Sequence, residues 1–287
     1  MSESHDRPCA LVTGATSGIG AAFAHRLAQE GFDLILHGRR QQALTDRAKN
    51  LESMYGTSVE IIIAELSRGD EIRKVEERIS SLDRLDLLIN NAGYWEPGLF
   101  WEHAPDCLEA MIMVHNVAPV RFIRAALPRM LERDKGDIIN VSSAGAYFNM
   151  VTLENYGATK AYLISFTESL HVALMGTAIR VQALTPGLTV TEFHSRLGAD
   201  FTKEQRTWMH PEEVVQESLR ALGKGRVVCI PGLRRRAIVK LASMLPRFVY
   251  YRVMKSIGEK VKRRWDEIEK NKRLPSRQMH LPAESSG

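Results

Sequence analysis

The sequence predicts a doubly wound α/β fold built on one parallel sheet, and three observations carry that expectation. Short apolar runs recur along the chain, amphipathic stretches of helical length separate them, and a glycine-rich turn follows the first run. The runs at 9–14, 33–38, 59–64, 85–90, 136–142, 179–185 and 226–230 are nearly continuous in Val, Ile and Leu. That is the composition of parallel strands covered on both faces. Between them, 20–30, 41–55, 70–81, 105–132, 156–175 and 211–222 have helical length and period. Strand and helix in alternation give βαβ units and a seven-stranded sheet. Residues 1–232 read as one domain, 233–265 as a basic helical extension, and the polar stretch 266–287 as a frayed tail.

The chain has 287 residues, 44% hydrophobic and 25% charged, enough for a large core and ordinary for a globular protein. Cys9, Cys107 and Cys229 are scattered with no CxxC spacing, which argues against a disulfide framework or a structural zinc site. The nine histidines form no ligand motif. The polar start runs straight into the first strand without a basic and apolar leader, so a cytoplasmic, non-spanning protein is expected. The net charge of +5 is uneven: residues 234 to 264 hold eleven Lys or Arg against the single acid Glu259.

The first strand ends in TGATSGIG, residues 13–20, with Gly14, Thr16, Ser17, Gly18, Ile19 and Gly20 in the turn. A glycine-rich turn between a strand and a helix lets backbone approach a pyrophosphate, and the helix N–H groups face its charge. The spacing is GxxxGxG; a plain strand–helix connection is the alternative. At the end of the second strand Gly38 stands where an acid would hold the ribose hydroxyls of NAD, and Arg39 and Arg40 follow. Guanidinium groups bind a 2′-phosphate by charge-assisted hydrogen bonds, so NADP(H) is the expected cofactor, with Arg39 as main clamp. Solvated loop arginines are the alternative.

The fourth strand closes on NNAG, residues 90–93, and the fifth on Ser142–Ser143; Asn116 lies in the helix between. Tyr156 and Lys160 follow, four residues apart on one helix face. Strand ends in such a sheet point into one ligand crevice. Hydride arriving at a carbonyl carbon leaves charge on oxygen that must be protonated. A phenol, with a free pKa of about 10, needs help to exchange protons near neutrality, and a cation one turn away lowers that value. Ser143 can hold the carbonyl oxygen as charge develops. Taken singly, each has a plainer explanation: a half-buried aromatic, a surface charge, a turn former.

Together, TGATSGIG, NNAG, Asn116, Ser143, Tyr156-xxx-Lys160 and Pro186–Gly187 resemble the short-chain dehydrogenase/reductase family in order and spacing, over about residues 8–230. The resemblance implies a Rossmann-type fold and NADP(H)-dependent oxidoreductase activity in a homodimer or homotetramer. It makes Tyr156 the general acid/base, and Lys160 the residue that binds the nicotinamide ribose and lowers the tyrosine's pKa. Ser143 would polarise the carbonyl, and Asn116 would order the helix and a proton-relaying water. Asn91, Ala92 and Gly93 would support the cofactor, and Pro186, Gly187, Thr189 and Thr191 would flank the nicotinamide. Glu65 stands where the family often has Asp beside the adenine, with Leu66 next to it.

Residues 188–210 are expected to form a lid, with Phe193, Leu197, Phe201, Trp208 and Met209 giving it apolar weight. Side chains that simply pack the lid onto the body are the alternative; Tyr94, Trp95, Phe100 and Trp101 add apolar weight near the crevice, and together they point to a hydrophobic ketone or alcohol. Beyond 233, apolar residues interleave with cations and Pro246 should divide the stretch into two helices. That pattern suits an anionic membrane surface, or helices that cap the fold or pack on a partner subunit. No motif suggests nucleic-acid binding.

Overall fold

The computed structural model describes residues 7–96, 98–191 and 208–273. The strands are β1 (Cys9–Thr13), β2 (Asp33–Gly38), β3 (Val59–Ile63), β4 (Leu87–Asn90), β5 (Gly136–Val141), β6 (Ile179–Leu184) and β7 (Val228–Cys229). They form one parallel sheet in the order β3-β2-β1-β4-β5-β6-β7. β1 has β2 on one side and β4 on the other, so the chain reverses its direction of winding there. The crevice above the carboxyl ends of β1 and β4 is therefore where a ligand fits.

The helices are α1 (Gly18–Gln29), α2 (Gln41–Tyr55), α3 (Gly69–Ser80), α4 (Pro105–Ile112), α5 (Ala118–Glu132), α6 (Glu154–Ala173), α7 (Pro211–Gly223), α8 (Leu233–Met244) and α9 (Arg247–Arg273). On one face of the sheet Phe23 and Leu27 of α1, Leu44 and Leu51 of α2 and Val214, Val215 and Leu222 of α7 close a single core. On the other, Ile72, Val75 and Ile79 of α3 and Phe122, Ile123 and Met130 of α5 close a second. Phe23 and Phe122 are fully buried, and burying such a side chain stabilises the fold by about 1.5–3 kcal/mol. Both faces are covered, which is why the strands read as unbroken apolar runs.

The predicted helix 105–132 is interrupted: Met113–Val117 forms a π-turn between α4 and α5. A π-turn inserts one extra residue and rotates the helix beyond it, and such turns concentrate at functional sites. Pro105–Glu132 is apolar and long enough to span a bilayer by composition, but half of its apolar window is buried in the core. The predicted tail is also corrected, because α9 stays helical through Arg273, with Lys262 and Asp266 paired one turn apart at 3.4 Å. As expected, Pro246 separates α8 from α9.

The extension folds back onto the sheet's ligand edge. The Tyr250 hydroxyl donates to the Tyr147 carbonyl at 2.8 Å and accepts from the Asn149 amide at 2.9 Å. Gly258 lets α9 approach the loop before α6, since a Cβ there would lie 2.8 Å from the Val151 nitrogen.

Candidate active site

The glycine turn is built as the crevice requires. Gly14 and Gly18 have φ of +67° and +57°, a region that favours glycine. Gly20 is different: a Cβ there would fall on the Gly14 carbonyl and the Asn91 amide, so it keeps α1 pressed against β1. The Asn91 side chain donates to the Thr13 carbonyl at 2.9 Å and the Gly14 carbonyl at 3.2 Å. The Thr13 hydroxyl accepts from the Asn91 and Ala92 amides at 2.9 and 3.0 Å, binding β1 to β4 at the reversal. A cavity of about 590 Å³ runs from this turn to Tyr156, a volume in the range of small-molecule sites.

At one end of the cavity lie Arg39, Arg40, Glu65 and Leu66. Gly38 lets Thr16 sit against it, with Thr16 Cγ2 2.9 Å from the position a Cβ would take. Arg39, expected as the main clamp, forms an ion pair at 2.9 Å with Glu65, expected beside the adenine. Burial opposes ionisation of Glu65, but the Arg39 hydrogen bond, the Ser67 amide and the Arg39 charge hold its carboxyl below the usual range. Their side chains occupy neighbouring strand ends that no sequence spacing relates. Arg47 also contributes: its guanidinium donates to the Thr16 carbonyl at 3.1 Å and steadies the turn from α2.

At the other end the predicted set comes together. Ser143 and Tyr156 line the cavity together, and Ser143 opposes the rise that burial gives the Tyr156 pKa. Ser143 also accepts from the Gly145 amide at 3.0 Å. Lys160 is 4% exposed; its ammonium donates to the Val141 carbonyl at 3.0 Å and lies 5.9 Å from the centre of the Tyr156 ring. The Ser142 hydroxyl donates to the Lys160 carbonyl, fixing α6 to the end of β5. Asn116 is buried in the π-turn, and its side-chain amide donates to the Thr159 carbonyl at 2.9 Å.

His115, which no sequence motif singles out, is fully buried in the same turn. Its Nε2 accepts from the Tyr94 amide at 3.1 Å, so the proton sits on Nδ1, which faces the Thr159 hydroxyl at 2.8 Å. Thr159 in turn donates to the Tyr156 carbonyl. The imidazole meets the Tyr156 ring edge-on at 5.7 Å and stands against Gly93, where a Cβ would lie 3.0 Å from Nε2. Burial and then the Lys160 charge hold His115 well below its usual pKa, so it is neutral. It braces the tyrosine; only its place one residue before Asn116 hinted at it.

Burial pushes Lys160 down to about 7. It pushes Tyr156 above its ordinary value, with the Ser143 hydrogen bond opposing. In the free protein burial is the larger influence on the tyrosine. Burial disfavours the charged form of both groups, the phenolate and the ammonium.

Tyr94 and Trp95 line the cavity, the Trp95 ring nitrogen donating to the Thr152 carbonyl at 3.0 Å. Phe100 and Trp101 do not line it; they stand 49% and 76% exposed. Trp208 is buried and Met209 packs against the core, so neither faces the ligand space. Phe193, Leu197 and Phe201 lie outside the described residues. Pro186, Gly187, Thr189 and Thr191 do line the cavity, and Thr191 covers Gly18, its Cγ2 3.1 Å from where a Cβ would stand. Val261 of α9 and Arg235 of α8 also line the cavity, so the extension contributes to its wall.

Residues 8–201 match the family model described as short chain dehydrogenase. Very-long-chain 3-oxoacyl-CoA reductase-A of Danio rerio is 37% identical over 188 residues, 64% of this chain and 58% of that protein, so the chain matches under two thirds of this relative. A short-chain dehydrogenase from Sphingobium yanoikuyae, solved with NADPH, superposes with a TM-score of 0.75 at 33% identity over 83% of this chain and 96% of that one. A bulky-bulky ketone specific alcohol dehydrogenase from Comamonas testosteroni gives 0.72 at 26% identity over 96% of each chain, which includes the extension. With the reversal point, the glycine turn and the Ser143–Tyr156–Lys160 cluster in place, the chain belongs to the short-chain dehydrogenase family of oxidoreductases.

Proposed function

We propose that the protein reduces the carbonyl group of a largely apolar substrate with NADPH, or oxidises the matching alcohol with NADP+. One observation carries this reading. Ser143, the Tyr156 phenol and the buried Lys160 line the same cavity as a glycine turn whose Gly14 and Gly18 take positive φ. The residues fit the dinucleotide: backbone N–H groups of the turn and the start of α1 suit a pyrophosphate. Arg39 keeps donors beyond the one it gives Glu65, and Arg40 lines the same end.

When bound, the cofactor supplies or accepts the hydride; the rest belongs to this chain. Ser143 donates to the carbonyl oxygen and orients it. Tyr156 gives that oxygen its proton, held in place by His115 and Ser143. Lys160, once an anionic ligand shares the cavity, regains its charge and stabilises the phenolate left behind. Asn116 holds the α6 backbone beside Lys160, so the cation stays under the tyrosine.

A panel of aryl and long-chain ketones, followed by NADPH absorbance, tests the reading. Turnover with NADPH is expected, with NADH poorer. The Arg39→Ala/Arg40→Ala variant should raise KM for NADPH by about tenfold or more, as for lost charge-assisted hydrogen bonds. NADPH binding without turnover of any carbonyl would favour a non-catalytic redox sensor instead. An unchanged KM would remove the arginines from the phosphate site.

The extension adds a surface role to this reading: contact with an anionic membrane. Leu241, Met244 and Phe248 are 65%, 72% and 67% exposed, with the exposed cations Arg234, Lys240 and Arg252 on the same pair of helices. Self-association through this face would set like charges together, whereas anionic headgroups complement them. The full chain should sediment with phosphatidylserine-containing vesicles, release in high salt, and bind less after Leu241→Glu/Phe248→Glu. Equal partition to neutral phosphatidylcholine vesicles, or none to either, refutes the contact.

A further inference from the structure

The run Arg234–Arg235–Arg236 has three separate fates. Arg234 points to solvent. Arg236 pairs with Glu217 at 2.7 Å and donates to the Ile230 carbonyl at 2.6 Å, so its charge is answered within the fold. Arg235 is half-buried and lines the cavity, where its guanidinium covers the open face of Gly187; a Cβ on that residue would fall on the guanidinium atoms. No hydrogen bond or ion pair joins it to any described residue. Burial and then the Arg234 charge disfavour its cationic form. Among the described residues, then, a partly desolvated cation stands in the ligand cavity with no counter-charge, an arrangement that a ligand anion would stabilise.

Its position identifies the ligand. Glu65 is the one acid among the described cavity residues, and it is tied to Arg39 at the far end. Arg235 belongs to the end with Ser143: α8 packs on the Ala144–Tyr147 turn, and the Ala144 amide donates to the Pro186 carbonyl at 2.8 Å. A dinucleotide whose pyrophosphate rests on the glycine turn and whose 2′-phosphate meets Arg39 and Arg40 brings to this end only its nicotinamide, which is uncharged when reduced. Among the described residues no acid stands at this end, which leaves the molecule being reduced as the source of negative charge that Arg235 is placed to meet.

We propose that Arg235 recognises an anionic oxygen group, a carboxylate or a phosphate, carried by the carbonyl substrate. The substrate is then amphiphilic: an apolar body against Trp95, Phe148 and Val151, and an anion on the α8 side. This deepens the carbonyl-reductase reading and rests on it. Guanidinium is suited to the task because its planar fork matches carboxylate and phosphate oxygens.

A matched pair of probes tests it: 3-benzoylpropionate and its methyl ester, the same aryl ketone with and without the charge. Calorimetric titration into NADPH-saturated protein gives affinities whether or not turnover occurs. Wild type should bind the acid more tightly than the ester. Arg235→Met should lower the acid-to-ester affinity ratio by about 10- to 100-fold, with Arg235→Lys restoring part of it. Thermal unfolding of both variants shows whether the fold is kept, and Arg235→Lys still decides the matter if Arg235→Met does not fold. Equal affinity of wild type for acid and ester overturns the proposal. So does an Arg235→Met variant with an unchanged ratio but weaker NADPH binding, which would assign the guanidinium to the cofactor. If both probes bind as expected and neither is reduced, the anion site stands while the carbonyl-reductase reading falls.

Discussion

Tyr156→Phe is expected to lower kcat for ketone reduction by about 10²- to 10⁴-fold, the usual worth of a positioned general acid. The substitution keeps the ring and its edge-on contact with His115 and removes only the hydroxyl. NADPH binding, read by quenching of protein fluorescence, should survive, so the loss appears in kcat more than in KM. The pH dependence gives a second readout. Burial holds the phenol above its ordinary pKa, so the free protein carries it as the acid that reduction needs. Alcohol oxidation needs the phenolate, so its rate should climb with pH where reduction stays level. A variant that keeps more than about a tenth of kcat would move the proton donor elsewhere, Ser143 being the nearest hydroxyl.

Lys160→Met should cost at least about 10²-fold in kcat and also change how stability depends on pH. Its folded pKa of about 7 lies below the unfolded value of about 10.4. Between those values the unfolded chain binds more protons than the folded one, so this lysine makes stability rise with pH; below 7 its penalty is fully present. The slope is at most about 1.4 kcal/mol per pH unit. Cys9 and Cys229, both pushed up to about 11 mainly by burial, act in the opposite sense at alkaline pH. The difference between wild type and variant isolates the lysine. In urea unfolding of the cofactor-free proteins from pH 7 to 9, that difference should change steadily in favour of wild type. Parallel curves would show that Lys160 stays charged when buried, and would remove the need for an anionic ligand to restore its charge.

The sheet was legible in the sequence because a strand covered on both faces must be apolar at every position, and the helices because one face of each must be. Glycines 14, 18 and 20 were legible because backbone conformation and close approach there exclude side chains. Ser143, Tyr156 and Lys160 could be read because their spacing is set locally, by one strand end and one helix turn. The same logic missed the π-turn, since nothing in the apolar period of 105–132 marks the extra residue in Met113–Val117. It drew Phe100 and Trp101 toward the substrate and left open whether Trp208 and Met209 face it or pack the body, because an aromatic or apolar side chain looks the same in sequence whether it lines a cavity, packs a core or meets solvent.

By itself, then, the sequence determined the alternating fold, the phosphate-binding turn and the identity of the proton-transfer set, each a matter of local geometry. Only the tertiary structure decided how those groups are charged and what else surrounds them. Desolvation raised the pKa of the tyrosine and lowered that of the lysine, the Arg39–Glu65 pair joined two strand ends, and His115 came to brace the site from a turn unreadable in the chain. The three arginines at 234–236 are identical in sequence, yet one faces solvent, one pairs with Glu217 and one enters the cavity. Burial and contact between residues distant in the chain set those fates, and a linear pattern carries neither.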